Sequence, residues 1–195
     1  LLLSLADLAR MAKVDARATR ARGVRAAARM PRLVSDDPRD LAKRQSQAAA
    51  PAGIPEIQQQ LRDDPQLLGP FIEECLRFEP PFRGHYRHVR VDTELAGVPL
   101  PANSRLLLLW GAANRDPAKF DNPGKFRLDR PAKGHITFGK GVHFCVGAAL
   151  ARLEATLVLR LLLDRTRWIG AQEAGPWLSS ILVRRRSRLL LTVGT

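Results

Sequence analysis

A glycine-rich segment directly ahead of a long apolar stretch constrains this chain more than any other feature. Residues 138–147 have the sequence FGKGVHFCVG and bring one cysteine, Cys145, to the start of residues 146–164, where apolar side chains recur every three to four positions. That spacing predicts a long helix with a buried face. A thiol at a helix amino terminus meets free N–H groups and a partial positive charge, which favour the thiolate. The segment therefore predicts a cysteine that acts as a nucleophile or as a metal ligand.

Three glycines shape the backbone around that cysteine. Gly139, Gly141 and Gly147 permit tight turns and the close approach of a flat ligand, because they carry no side chain that would collide with it. A lone cysteine beside an ordinary glycine turn is more typical of a buried structural residue. The three spaced glycines together with Phe138 and His143 favour a ligand-binding loop instead.

The segment resembles the haem-binding loop of the cytochrome P-450 (haem-thiolate monooxygenase) family and matches Phe-Gly-x-Gly-x-His-x-Cys-x-Gly at every defined position. By that resemblance Cys145 is the axial thiolate ligand of the iron of haem b, and its electron donation favours O–O cleavage. The resemblance also implies that His143 holds a haem propionate, that Phe138 packs beside the sulfur, and that nearby backbone amides tune the thiolate. The cofactor-binding residues expected in this loop are Phe138, Gly139, Gly141, His143, Cys145 and Gly147.

A second motif of the family lies in a predicted helix at 70–78. Glu74 and Arg77 are three residues apart and share one helix face, which in isolation is typical of a surface ion pair. In context, FIEECLRFEPP resembles the family's Glu-x-x-Arg helix, and Arg130 stands where the family's third partner is expected. The resemblance implies that these three residues form a structural triad, which locks the meandering loop 114–131 beneath the haem.

The region after that helix also resembles bacterial members of the family. It contains the signature Ala-Asn-Arg-Asp-Pro at 113–117, and Arg87 stands where such members place a second propionate-binding arginine. We expect Cys75 to be a packing residue. We also expect no metal cluster among the remaining histidines and interpret them as surface or loop residues: His85, His88 and His135.

The resemblance implies a mainly α-helical fold with small β-sheets, the C-terminal part of the cytochrome P-450 fold, truncated relative to complete members. Local patterns predict helices at 54–62, 70–78 and 146–164, and strands at 85–91, 94–100, 105–110, 178–183 and 188–193. Residues 54–195 are expected to form the haem-binding portion. Residues 1–53 are rich in arginine and alanine and lack both a steady apolar period and the family's Ala-Gly-x-x-Thr motif, which indicates a disordered or out-of-frame segment.

Composition argues against several other classes of protein. Two cysteines cannot make a disulfide-stapled scaffold, and no apolar run reaches the roughly 18 residues of a membrane span, so we expect a cytoplasmic protein that does not contact a membrane. The net charge of +13 is compatible with nucleic-acid binding. However, the basic excess lies at the two ends of the chain and no aromatic residues alternate with it, so we expect no nucleic-acid partner.

The activity that the resemblance implies is monooxygenation of a small apolar substrate by dioxygen and two electrons. A ferredoxin-type donor would dock on the cysteine side, where Lys140 and Arg152 would contribute positive charge. Three alternatives stay open. The chain is a truncated or pseudogene product unable to hold haem, a basic module that binds anions or nucleic acid, or a thiol hydrolase that uses Cys145 and His143.

Overall fold

Helices and three two-stranded sheets make up the part of the chain that the structure, a computed structural model, describes: residues 54–194 except 132, 133 and 181. The helices are α1 (Ile54–Asp63), α2 (Leu68–Phe78), α3 (Trp110–Ala113) and α4 (Ala148–Arg165). The strands are β1 (His85–His88), β2 (Thr93–Leu95), β3 (Val98–Leu100), β4 (Arg105–Leu108), β5 (Trp168–Ala174) and β6 (Leu189–Gly194). This confirms the expected mainly helical fold with small sheets. The segment 1–53, with the expectations placed on it, lies outside the described residues.

The apolar core forms where α2 packs against α1 and α4. Apolar side chains of α2 recur at helical spacing and are buried together with those of its two neighbours. Pro80 and Pro81 follow α2 directly, and proline cannot continue a helix because it lacks the backbone N–H. The buried residues of this cluster are Leu61, Leu68, Phe71, Ile72, Cys75, Leu76, Phe78, Leu159 and Leu163.

Cys75 lies fully buried in this core, as expected of a packing residue. Burial raises the pKa of its thiol, and the neighbouring charge of Glu74 raises it further. The thiolate is the reactive form of cysteine, so a thiol in this environment is chemically inert.

Each sheet is an antiparallel pair of strands. The residues between β2 and β3, Ala96 and Gly97, have φ of 51° and 80°, the positive values that a tight two-residue hairpin turn requires. The prediction of a single strand at 94–100 was wrong. The turn divides 94–100 into β2 and β3, which pair with each other, and β1 pairs with β4.

The predictions for the C-terminal strands were correct for one strand and wrong for the other. The described residues of 178–183, which exclude 181, contribute an isolated bridge between Val183 and Phe82 and no longer strand, and the strand at 188–193 corresponds to β6. The partner of β6 is β5, which the sequence analysis missed. The missed segment, WIGAQEA, contains glycine and alanine in place of the β-branched run that marks a strand.

A search of the described helices finds none that is long and apolar enough to cross a membrane.

Candidate functional site

The loop that carries Cys145 leads through a short 3₁₀ turn, Gly141–His143, to the amino end of α4. Gly139 and Gly141 have φ of 75° and 67°, a left-handed conformation that glycine adopts without steric cost. The backbone N–H of Cys145 donates to the carbonyl of Phe138 at 2.9 Å, which closes the loop on itself. The thiol is therefore held, half-buried, at the start of a long helix.

The loop is tight at Gly139, and Gly147 lies directly beside the sulfur. A Cβ at residue 139 would lie 3.2 Å from the carbonyl oxygen of His143, and a Cβ at residue 147 would lie 3.8 Å from the sulfur of Cys145. A side chain at residue 147 would therefore occupy the space beside the sulfur. These glycines form a cradle that keeps the thiol accessible to a ligand.

Exposed apolar side chains lie on both sides of Cys145 along the chain and continue along α4. Val142 is 98% exposed, and Val146 and Phe144 are also exposed. One side of α4 is buried against the core, whereas another side exposes a row of leucines between its charged residues. The exposed leucines of α4 are Leu150, Leu153, Leu157 and Leu161. A single soft sulfur ligand next to exposed apolar side chains fits haem iron.

The other side chains expected to bind the cofactor lie in this loop and on β1. His143 is exposed at the end of the 3₁₀ turn. Arg87 is half-buried on β1, and its Nη1 donates to the carbonyl of Tyr86 at 2.9 Å. The ring of Phe138 is half-buried and lies edge-on to that of Phe144, with centroids 6.5 Å apart. Their roles toward haem stay predictions.

The structure brings Glu74, Arg77 and Arg130 together in the interior. Nε and Nη2 of Arg77 donate to the two carboxylate oxygens of Glu74 at 2.7 and 2.8 Å, and Nε of Arg130 donates to Oε1 at 3.2 Å. All three side chains are buried. The two guanidinium groups also donate to backbone carbonyls of the meander, so this triad ties α2 to the loop that follows α3. The accepting carbonyls are those of Asn114, Asp121, Asn122, Pro123 and Lys125.

Asn114 is a structural residue of the site that the sequence analysis missed, although it lies in the Ala-Asn-Arg-Asp-Pro signature. It is fully buried. Its Nδ2 donates to Oγ1 of Thr137 at 2.8 Å, and its Oδ1 accepts from the backbone N–H of Ile136 at 2.8 Å. The Thr137 hydroxyl in turn donates to the carbonyl of Leu76 at 2.7 Å. Asn114 thus fixes the chain entering the cysteine loop to the end of α2.

Glu73 was also missed, and its carboxylate contacts two residues that the sequence had singled out, His135 and Arg152. Its carboxylate accepts from Nε and Nη2 of Arg152 at 2.5 and 3.0 Å and contacts Nε2 of His135 at 2.9 Å. The guanidinium of Arg152 also lies 4.6 Å from the centroid of the Phe138 ring. Arg152, expected to contribute positive charge to a docking surface, is 36% exposed and paired with Glu73, and its docking role stays a prediction. His135, expected as a surface or loop residue, lies in a loop, but its side chain is only 6% exposed.

This carboxylate makes the stability of the chain depend on pH. Burial raises the pKa of Glu73, but hydrogen bonds from His135 and Arg152 outweigh it and lower the pKa from 4.5 to about 2. A pKa lowered by folding means that the stabilisation is present above about pH 4.5 and is lost as the pH falls toward 2. In Glu73→Gln we expect the free energy of unfolding to fall less between near-neutral and acidic pH than it does in the wild type. The expected reduction is about 1–2 kcal/mol, which allows for partial screening of the carboxylate by solvent.

The measurement is the free energy of unfolding in urea at about pH 6 and about pH 3. Glu154→Gln, which changes an exposed glutamate of α4, is the control and should retain the wild-type difference between the two conditions. An unchanged difference in Glu73→Gln would show that this carboxylate is not the group responsible.

The chain is similar in sequence to proteins of one known family. The model of the family described as Cytochrome P450 matches residues 44–192. Cytochrome P450 144 of Mycobacterium tuberculosis is 72% identical over 140 residues, which cover 71% of this chain and 32% of that protein. Cytochrome P450 107B1 of Saccharopolyspora erythraea is 40% identical over 146 residues, which cover 73% of this chain and 36% of that protein.

Solved structures agree with the sequence comparison. Substrate-free cytochrome P450 CYP150A6 from Mycobacterium marinum superimposes with a TM-score of 0.68 at 38% identity, covering 71% of this chain and 37% of that one. The chain spans about a third of the length of the curated relatives it matches. The cysteine loop, the buried triad, the family model and the shared fold agree, and the chain belongs to the cytochrome P450 family.

Proposed function

We propose that this chain carries the haem-thiolate site of a monooxygenase, with Cys145 as the ligand of the iron of haem b. The observation that carries the proposal is the half-buried thiol of Cys145 at the amino end of α4. Its backbone N–H is bonded to the carbonyl of Phe138, and exposed apolar side chains flank it along the chain. When bound, the haem supplies the activation of dioxygen, and a thiolate ligand favours O–O cleavage.

The protein's own residues would bind and orient the cofactor. His143 and Arg87 would each donate a charge-assisted hydrogen bond to a propionate, the strong type of hydrogen bond that a carboxylate accepts. Phe138 would pack beside the sulfur and exclude water from it, while the glycines at 139, 141 and 147 leave space for a flat ligand. The buried triad of Glu74, Arg77 and Arg130 keeps the meander in place beneath the site.

The substrate in this proposal is a small apolar molecule that is oxidised with dioxygen and two electrons. A ferredoxin-type donor would supply the electrons and dock on the cysteine side. Lys140 is exposed in the loop itself and carries the docking charge that the proposal requires, because the charge of Arg152 is paired with Glu73. Membrane and nucleic-acid partners have no part in the proposal.

The experiment that tests the proposal is the carbon monoxide difference spectrum of the dithionite-reduced full chain, purified with added haem. We expect the red-shifted Soret band that a thiolate ligand produces, and we expect Cys145→Ala to abolish it. Cys75→Ala is the matched control: it removes the other cysteine, which is fully buried in the core, and should keep the band.

Two results would contradict the proposal. If the wild-type chain takes up no haem, the alternative of a chain that cannot hold the cofactor is favoured. If the band persists in Cys145→Ala, another residue is the ligand.

A further inference from the structure

Three side chains form a continuous connection between α2 and the cysteine loop that is separate from the buried triad. Glu73 on α2 accepts two hydrogen bonds from Arg152 on α4, and the guanidinium of Arg152 lies over the ring of Phe138, 4.6 Å from its centroid. The carbonyl of Phe138 accepts from the backbone N–H of Cys145. His135 adds a third polar contact to Glu73 at 2.9 Å. We call Glu73, His135 and Arg152 the Glu73 cluster.

We propose that the Glu73 cluster positions the thiol of Cys145, because it fixes Phe138 and thereby the loop that Phe138 closes. The proposal rests on the proposed function in so far as Cys145 is the iron ligand. None of the three residues contacts the sulfur in this scheme. They are positioning residues, which act on the cysteine through the ring and carbonyl of Phe138.

Glu73 and Glu74, which are adjacent on α2, attach two different segments of the chain to this helix. Glu74 accepts from Arg77 and Arg130 and so secures the meander. Glu73 has different partners, one of them seven residues beyond Cys145 along the chain, and so secures the loop that carries the thiol. A change at Glu73 should therefore affect the cysteine loop while the triad stays intact.

The geometry requires arginine at residue 152. A planar guanidinium can donate two hydrogen bonds to one carboxylate and at the same time lie flat on an aromatic ring, whereas the ammonium of lysine is a point charge that cannot do both. The side chain of Glu73 is largely buried, and that of Arg152 is 36% exposed, so the pair is sheltered from water on the carboxylate side. Attraction between a cation and an aromatic ring is stronger in such a partly desolvated place.

The two cysteines of the chain provide a test that needs no haem. Cys145 is half-buried in the loop, and Cys75 is fully buried in α2, so alkylation of Cys145 reports the loop while alkylation of Cys75 reports loss of the core. The haem-free full chain is treated with iodoacetamide, and the rate at each cysteine is measured by peptide mass spectrometry. The variants are Arg152→Gln, Glu73→Gln and Arg152→Lys. The control is Arg160→Gln, which breaks an exposed ion pair with Asp164 on the same helix.

We expect Arg152→Gln and Glu73→Gln to raise the alkylation rate of Cys145 by at least about twofold, the lower end of the range for residues in contact. The rate at Cys75 should stay at its wild-type value. Arg152→Lys should behave like Arg152→Gln, because it keeps the charge and loses the fork and the flat stacking surface. Arg160→Gln should match the wild type.

Three outcomes would overturn the proposal. The first is an unchanged Cys145 rate in both Arg152→Gln and Glu73→Gln. The second is a parallel rise at Cys75 and Cys145 in both variants, which would make the cluster a general stabilising contact. The third is a wild-type rate in Arg152→Lys, which would show that charge alone suffices. A wild-type chain without the haem-thiolate band would refute the proposed function separately, since alkylation is measured without haem.

Discussion

Glu74→Gln should lower the free energy of unfolding by about 3–5 kcal/mol, the cost of leaving buried charges without their partner. The carboxylate of Glu74 accepts from two nitrogens of Arg77, from Nε of Arg130 and from the backbone N–H of Arg127. A glutamine of the same shape offers one oxygen, and its NH₂ group would face guanidinium donors. Two buried guanidinium groups would then lack a counter-ion, and the meander would lose one of its attachments to α2, while the bonds from Arg77 to its carbonyls remain.

The measurement for Glu74→Gln is urea unfolding followed by circular dichroism, with the slope compared to that of the wild type so that a change in midpoint can be interpreted as a change in stability. The control is Asp129→Asn, which breaks an exposed ion pair with Arg127 in the same meander and should leave the midpoint nearly unchanged. If the two variants lose the same stability, the hydrogen bonds from the two arginines to backbone carbonyls are sufficient to hold the meander.

Asn114→Leu should cost about 2–4 kcal/mol, because it leaves polar groups near the cysteine loop without their partners. The leucine fills a similar volume, so the loss arises from hydrogen bonds and not from a cavity. The backbone N–H of Ile136 would lose its acceptor, and the hydroxyl of Thr137 would lose its donor. Both groups lie in the segment that enters the loop of Cys145, so the loosening should reach the thiol.

A double-mutant cycle with Thr137→Val separates the Asn114 network from simple burial. Because the two side chains are hydrogen-bonded at 2.8 Å, the double variant should lose less stability than the sum of the single variants, by about 0.5–3 kcal/mol. The free energies come from urea unfolding of all four chains. Strictly additive losses would show that Asn114 acts through Ile136 alone.

The helices could be predicted from the sequence because their signals are local. The predictions at 54–62, 70–78 and 146–164 match α1, α2 and α4 to within two residues at each end. Apolar spacing marks the buried faces, and Pro80 and Pro81 mark the end of α2. The sheets were less predictable, because strand pairing joins segments that are distant in sequence. The partner of β6 is β5, which has no run of β-branched residues, so no local pattern predicted this strand.

In the candidate site, too, some features can be predicted from the sequence and others only from the tertiary structure. The cysteine loop and the shared helix face of Glu74 and Arg77 follow from short-range features: glycines that allow positive φ, and a spacing of three residues in a helix. The partners of Glu73 and Asn114 do not, because these side chains pair with residues from 22 to 79 positions away. Such pairs exist only once the chain has folded, since tertiary packing sets which polar groups meet after water is excluded. The sequence alone therefore identifies the cysteine and its loop, and the packing of the helices determines what holds that loop in place.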